Sequence, residues 1–243
     1  MKTTIVIPAR WNSSRFKGKP LAKINGITVL ERVWRKANLS KIAKKIVVAT
    51  DHKKIENFCK QKKIQVLMTS NKNKTGTDRV YEVSTKINSD IYVNLQGDEP
   101  LIDPKSIDKV ILCLEKNVKK KFEVSTGFSK LKSQQNNNEK SCVFLVKSVS
   151  NQAIFFSRSK IPFNINNIKV QRYRHIGLYA YTKQSLKKFH QYKVGPLEIS
   201  EKLEQMRFLE NGERIICTHL SENNLAVDYP SDIKKIEDFL KKK

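Results

Sequence analysis

Thr3-Thr4-Ile5-Val6-Ile7-Pro8 is the first apolar run of the chain, and a polar stretch, Ala9 to Pro20, follows it at once. An unbroken β-branched run predicts a strand buried on both faces, ended by the proline. The pattern recurs. Lys45 to Thr50 predicts a second buried strand, stopped by Asp51-His52; Ile64 to Met68 predicts a third. Ile91-Tyr92-Val93-Asn94-Leu95 predicts a fourth, followed by the polar turn Gln96-Gly97-Asp98-Glu99-Pro100. Helical spacing separates them. Thr28 to Asn38 places Val29, Leu30, Val33 and Trp34 on one side. Lys53 to Lys62, Asp78 to Ile87 and Pro104 to Lys116 also read as helices, the last with proline in a tolerated first-turn position.

Strands alternating with helices predict an α/β fold with a doubly wound, mostly parallel sheet. Ligands of such sheets bind beyond the C-terminal ends of the strands. The loops starting at Pro8, Asp51, Thr69 and Gln96 then share one edge. Arg10, Arg15, Arg79 and Asp98 become neighbours despite their separation in sequence.

The second half is less regular. Phe122 to Lys130 and Cys142 to Ser148 read as strands, split by a Gln/Asn-rich loop from Ser133 to Lys140. Ala153 to Ser157 is a short apolar run, and Asn164 to Asn167 reads as a mobile loop. Ile176 to Tyr181 predicts a strand, Gln184 to His190 and Ser200 to Glu210 predict helices, and Arg214 to His219 a late strand. Ser231 is placed to cap a final helix reaching about Leu240, with Lys241 to Lys243 frayed. No internal repeat is present.

Composition bounds the rest. The chain has 243 residues, 39% of them hydrophobic, which suffices for one domain with its own core. No run of 18 apolar residues predicts a membrane span, and Met1-Lys2-Thr3-Thr4 enters a strand directly, so no signal peptide is expected. Cys59, Cys113, Cys142 and Cys217 lack CxxC spacing. That argues against a disulfide scaffold or zinc ribbon and makes a reducing cytoplasm the simplest compartment. Formal net charge is +25, which first suggests nucleic acid. Yet only ten of the 48 basic residues are Arg, the residue suited to bidentate phosphate and base contacts. No RRM, KH, helix-turn-helix or zinc pattern accompanies the charge. The lysines read as a solvated coat, and no nucleic-acid partner is expected.

The chemistry concentrates in a few places. The loop after the first strand carries Arg10, Arg15, Lys17 and Lys19, with Gly18 and serines that let backbone approach an anion. Converging cations of this kind hold a polyphosphate and absorb transition-state charge; a solvated basic loop is the equal alternative. Neither GxGxxG nor GxxxxGK[ST] is present. Asp98 and Asp228 each follow an apolar run. Each alone serves as well to cap a following helix. With the basic loop, they form the equipment of phosphoryl or nucleotidyl transfer around Mg²⁺. Thr75-Gly76-Thr77-Asp78-Arg79 offers a turn, an N-cap and an arginine able to pair with a carboxylate. The four histidines have no metal-ligand spacing, and no nucleophile-elbow pattern appears.

Several stretches together carry a resemblance. They are IPARWNSSRFKGKPLAKING (Ile7–Gly26), VVATD (Val47–Asp51), TGTDR (Thr75–Arg79), NLQGDEP (Asn94–Pro100), FFSRSKIP (Phe155–Pro162), RHIGLYAY (Arg174–Tyr181), PLEISEKLEQMR (Pro196–Arg207) and AVDYPSD (Ala226–Asp232). In this order the chain resembles the 3-deoxy-manno-octulosonate (Kdo) cytidylyltransferases, the CMP-Kdo synthetases. The resemblance implies a glycosyltransferase-A-like sheet with a smaller β-containing lobe that also makes a homodimer. The nucleotide part would span about 1–120 and 210–243, and the sugar-binding and dimerisation lobe about 121–209, within one domain. It implies the transfer of CMP from CTP to Kdo with Mg²⁺, releasing diphosphate, for lipopolysaccharide assembly. Arg10, Ser13, Arg15 and Lys19 would bind the CTP phosphates, and Gly76, Thr77 and Arg79 would form the cytidine pocket. Asp98 and Asp228 would hold Mg²⁺ and, with Lys19 and Arg10, carry catalysis. Gln96, Arg158, His175, Tyr179, Glu204 and Gln205 would line the sugar-acid site, with Arg158 on the carboxylate. Lys17 replaces a common proline, Asp78 stands where Glu is frequent, and Tyr229 replaces a usual Thr. Asp78, RFKGKP and HIGLYAYT are also similar to the branch acting on 8-amino-Kdo.

Overall fold

The computed structural model describes residues 1–131, 142–166, 168, 170–221 and 225–242. The expected loop Ser133 to Lys140 lies outside the described residues, as do Asn167 and Lys243. One large sheet is built from β1 (Thr3–Ala9), β4 (Lys45–Thr50), β5 (Val66–Met68), β6 (Ile91–Asn94), β7 (Val124–Lys130), β10 (Tyr173–Thr182) and β11 (Ile215–His219). Their spatial order is β11-β7-β10-β6-β1-β4-β5. β1 pairs in parallel with β4 and β6, β4 with β5, and β7 with β11; β10 alone on this path runs antiparallel to its neighbours. β8 (Phe144–Lys147) pairs with β10 and with β9 (Ala153–Ser157) at the side of this path. This is the mostly parallel α/β sheet that the alternating pattern predicts. A two-residue-per-strand hairpin, β2 (Lys23–Ile24) and β3 (Ile27–Thr28), was too short to read as strands.

Strand periodicity sorts side chains between two faces. On β1, Ile5, Ile7 and Ala9 join the cluster packed under α1 (Val29–Ala37), α2 (Lys53–Gln61) and α4 (Pro104–Asn117), while Val6 joins the opposite one. On β6, Ile91 and Val93 take the first face and Tyr92 the second; on β10, Tyr179 and Tyr181 take the second. That second face packs against α3 (Gly76–Lys86), α5 (Lys183–Gln191) and α7 (Met206–Glu210). Helices on both faces are the reason β1, β4 and β6 read as continuous apolar runs.

Strand ends shift by up to three residues from the sequence reading, as in β10, which begins at Tyr173 and not Ile176, and three helices differ from it as well. α3 begins at Gly76, not Asp78. Thr75 is its N-cap, and the Asp78 carboxylate accepts from the Thr75 N–H at 2.9 Å while Thr75 Oγ1 accepts from the Asp78 N–H at 3.0 Å. The last helix, α8 (Pro230–Lys241), starts ahead of Ser231. The Asp232 carboxylate takes the Tyr229 and Asp228 N–H groups at 2.8 and 3.0 Å, so Asp232 does the capping expected of Ser231. The helix expected over Ser200 to Glu210 is two short ones, α6 (Pro196–Glu201) and α7. Lys202 sits between them in the left-handed region at φ 52°.

Candidate active site

The loop after β1 is shaped from within. The Gly18 N–H donates to the Trp11 carbonyl at 2.9 Å, and Gly18 has φ 76°. A Cβ there would stand 3.1 Å from the Trp11 ring. Trp11 in turn stacks on His52 at 4.9 Å, just beyond β4. The basic loop is thereby fastened to the same strand-end edge that carries Asp51. Ser13 lies half-buried in this loop.

The turn after β6 closes on it. Gly97 passes so near β1 that a Cβ would lie 2.6 Å from the Pro8 carbonyl oxygen. The Val227 N–H donates to the Asp98 carbonyl at 2.8 Å, which brings the late segment to the same place. Asp98 and Asp228, 130 positions apart in the chain, thus become neighbours. Lys19 Nζ lies 2.5 Å from Asp98 and 3.9 Å from Asp228, and Arg15 Nη2 lies 2.8 Å from Asp228. One ammonium therefore already occupies a point shared by the two carboxylates. Two carboxylates converging on one cation position suit Mg²⁺, which completes its shell with waters and substrate phosphates. Among the described residues there is no cluster of three or more His, Cys, Asp or Glu that would make an all-protein cage.

Behind the loop lies a second charge cluster. Arg79 is fully buried. Its Nη2 donates to Asp51 at 2.8 Å and its Nη1 to Thr69 Oγ1, while Nε has no partner. Arg10 stands close enough that burial first, and Arg79 next, lower its pKa, opposed by Asp51 and Glu204. One Nη of Arg10 is likewise buried without a partner. Sequence reasoning found the arginine and its need for a carboxylate. It gave Asp51 no role, although that residue stands at the end of a buried strand and closes the VVATD stretch.

Gln96 and Glu204 lie against the start of α3. A Cβ on Gly76 would meet Asn94 Nδ2 at 3.2 Å, and Gln96 and Glu204 at 3.6 Å. The Glu204 carboxylate accepts from the Thr77 N–H at 3.1 Å, and its burial raises its pKa. Gln205 is buried, with Nε2 unpartnered. His175 and Tyr179 neighbour each other on β10, ring centroids 5.4 Å apart. Burial pushes the His175 imidazole down to about 3, so it is neutral; its Nε2 is 2.9 Å from Thr126 Oγ1. Burial and then Asp98 push Glu99 up to about 8. Arg158 is placed differently. Exposed on the chain after β9, it donates from Nε to the Glu201 carbonyl at 2.8 Å and from Nη2 to the Lys202 carbonyl at 3.3 Å.

Residues 4–215 match the profile of the cytidylyltransferase family. The chain belongs to that family. An 8-amino-3,8-dideoxy-manno-octulosonate cytidylyltransferase of Shewanella baltica is 39% identical over 240 residues, 98% of each chain. The enzyme of the same description from Shewanella frigidimarina is equally similar over the same share. A solved CMP:2-keto-3-deoxy-manno-octonic acid synthetase in complex with CTP superposes with a TM-score of 0.94 at 33% identity, covering 100% of this chain and 99% of that one. A cytidylyltransferase from Leptospira borgpetersenii, 20% identical with a TM-score of 0.68 over 100% of this chain and 88% of its own, shares the fold. This cytidylyltransferase is thus a nucleotidyltransferase by family. No helix among its described residues is long and apolar enough to cross a membrane.

Proposed function

We propose that this cytidylyltransferase transfers CMP from CTP to the anomeric hydroxyl of Kdo, giving CMP-Kdo and diphosphate for lipopolysaccharide assembly in the cytoplasm. The observation that carries the proposal is the cation-bridged pair Asp98 and Asp228, set against the basic loop at the edge where such sheets bind ligands. The full-length likeness to a CTP-bound synthetase supports it. In this reading Arg10, Ser13, Arg15 and Lys19 hold the triphosphate, and Gly76 and Thr77 line the cytidine side with Arg79 behind them. Gln96, His175, Tyr179, Glu204 and Gln205 form the wall for the sugar acid. Asp98 and Asp228 are the residues that would hold Mg²⁺, which when bound offsets negative charge on the phosphates. The sugar hydroxyl attacks the α-phosphorus in line, the α-phosphorus–oxygen bond to diphosphate breaks, and the hydroxyl proton passes to solvent, no side chain serving as a dedicated base. Arg10, Arg15 and Lys19 fix the phosphates and counter the charge that develops there.

Residues of about 121–209 are assigned to the sugar acid and to a second copy of the chain. Ile154, Phe163, Ile165 and Ile168, exposed apolar side chains within that span, support the homodimer. A second reading replaces Kdo by 8-amino-Kdo; the 39% identical relatives of that description favour it. Diphosphate release with CTP and Mg²⁺, measured against a panel of sugar acids, tests both. Turnover with Kdo supports the first reading, and preference for the 8-amino acid supports the second. No release with any acid overturns the enzymatic claim.

A further inference from the structure

Below the site, β10 sends one side chain to each of the parts that must meet there. Tyr181 is fully buried. Its hydroxyl is 2.9 Å from Thr77 Oγ1, in the first turn of α3. Its ring lies parallel to Phe208 of α7 at 5.8 Å and to Tyr179 at 5.7 Å. Thr77, also fully buried, gives its N–H to Glu204 in the turn that precedes α7. One phenol thus touches the helix start on one side of the site and the helix that follows Glu204 on the other. Asn94, the last residue of β6, lies under Gly76 and within reach of the Tyr181 hydroxyl. Arg79 ties the end of the first turn of α3 to Asp51 and Thr69, and the Tyr181 hydroxyl ties its beginning at Thr77 to the sheet. Burial raises the phenol well above its ordinary pKa, so it stays protonated across the working range.

We propose that Tyr181 is a positioning residue: through Thr77 it sets the first turn of α3 in the geometry that binds CTP. The inference rests on the proposed function, since it takes Gly76 and Thr77 to face the nucleotide. A buried hydroxyl left without its partner loses its alignment as well as a bond.

The test is the dissociation constant for CTP, measured by calorimetric titration without sugar acid and well below the unfolding transition. Tyr181→Phe keeps the ring stack and removes one oxygen. It is expected to weaken CTP binding about tenfold. Thr77→Val, which cuts the bond from its other end, should weaken binding similarly. The double variant Tyr181→Phe/Thr77→Val should be no worse than the poorer single one, as for two ends of one interaction. A lower Tm with wild-type CTP affinity in both single variants would make the bond merely structural and overturn the proposal. Wild-type protein that neither binds CTP nor releases diphosphate would instead remove the function on which the proposal rests, and the proposal with it.

Discussion

Replacing Asp51 by Ala should cost more stability than its partly exposed position suggests. Asp51 is 20% exposed, but the guanidinium it pairs with is at 0%. Without the carboxylate, Arg79 keeps its bond to Thr69 and little else, because its Nε already lacks a partner. Arg10 makes matters worse, since the two arginines repel and Asp51 is the first of the acids that counter this. Breaking a buried pair by removing one partner typically costs about 3–5 kcal/mol. For a chain of this size each kcal/mol moves Tm by about 2–4 °C, so the expected drop is about 6–20 °C. Differential scanning calorimetry of Asp51→Ala reads it directly. The double variant Asp51→Ala/Arg79→Met removes the stranded charge and should recover part of the loss. A drop below about 3 °C, or a double variant no more stable than Asp51→Ala, would refute the buried-charge reasoning.

Asp98→Asn keeps the side-chain shape and removes one of the two charges around Lys19. Diphosphate release should fall about a hundredfold or more, and a rate within about threefold of wild type at limiting Mg²⁺ would remove Asp98 from the catalytic set. Gly97→Ala would drive a Cβ to 2.6 Å from the Pro8 carbonyl oxygen, backbone against which nothing can give. A loss of about 1–3 kcal/mol is expected by chemical unfolding, together with lowered activity as the Asp98 turn shifts; unchanged values for both would contradict the close approach. His175 is held neutral with its pKa lowered from 6.5 to about 3. Between those values the unfolded chain binds the extra proton, so stability falls as pH drops below 6.5; at pH 5 the loss is about 2 kcal/mol. The pH 7 to pH 5 change in Tm should shrink in His175→Gln, and an undiminished change would show that the imidazole is not its source.

The parts of the fold legible in the sequence are those where local pattern and tertiary role agree. β1, β4 and β6 are covered by helices on both faces, so their apolar runs are unbroken. The Thr75–Asp78 capping box lies within four residues and needs no distant partner. The break between α6 and α7 was not legible, because the residues around it favour helix. It answers to contacts far away: the Thr77 N–H holds Glu204 in a non-helical turn, and the Glu201 carboxylate is drawn to Ser157 Oγ at 2.7 Å and the Arg158 N–H at 2.8 Å. The same distinction separates the candidate residues. Arg10 and Asp98 lie in the loops after β1 and β6, which the topology puts on one edge; Lys19 and Asp228 follow no strand directly, and Asp228 is brought in by the Val227 N–H bonded to the Asp98 carbonyl. Arg158 follows a short strand at the side of the sheet, and its apolar approach gave no hint that its fork turns toward the end of α6.

The net charge of +25 also divides by structure. Outside the site a few lysines pair with acids, as Lys53 and Lys60 do with Glu56. Such pairs contribute little and bind nothing in particular. Within the site Arg15 and Lys19 are engaged with Asp228 and Asp98, which leaves the carboxylates neutralised by the cations best placed to meet phosphate. A triphosphate that draws Arg15 and Lys19 toward itself uncovers both carboxylates at once. Under the proposed function, Asp98 and Asp228 taken up by a divalent cation would release the two side chains in the same way. Each event would lower the cost of the other, and linkage makes such an effect reciprocal. Under the proposed function, nucleotide and metal therefore bind as a coupled pair. The coupling resides in four side chains rather than in the lysine surface that dominates the sequence.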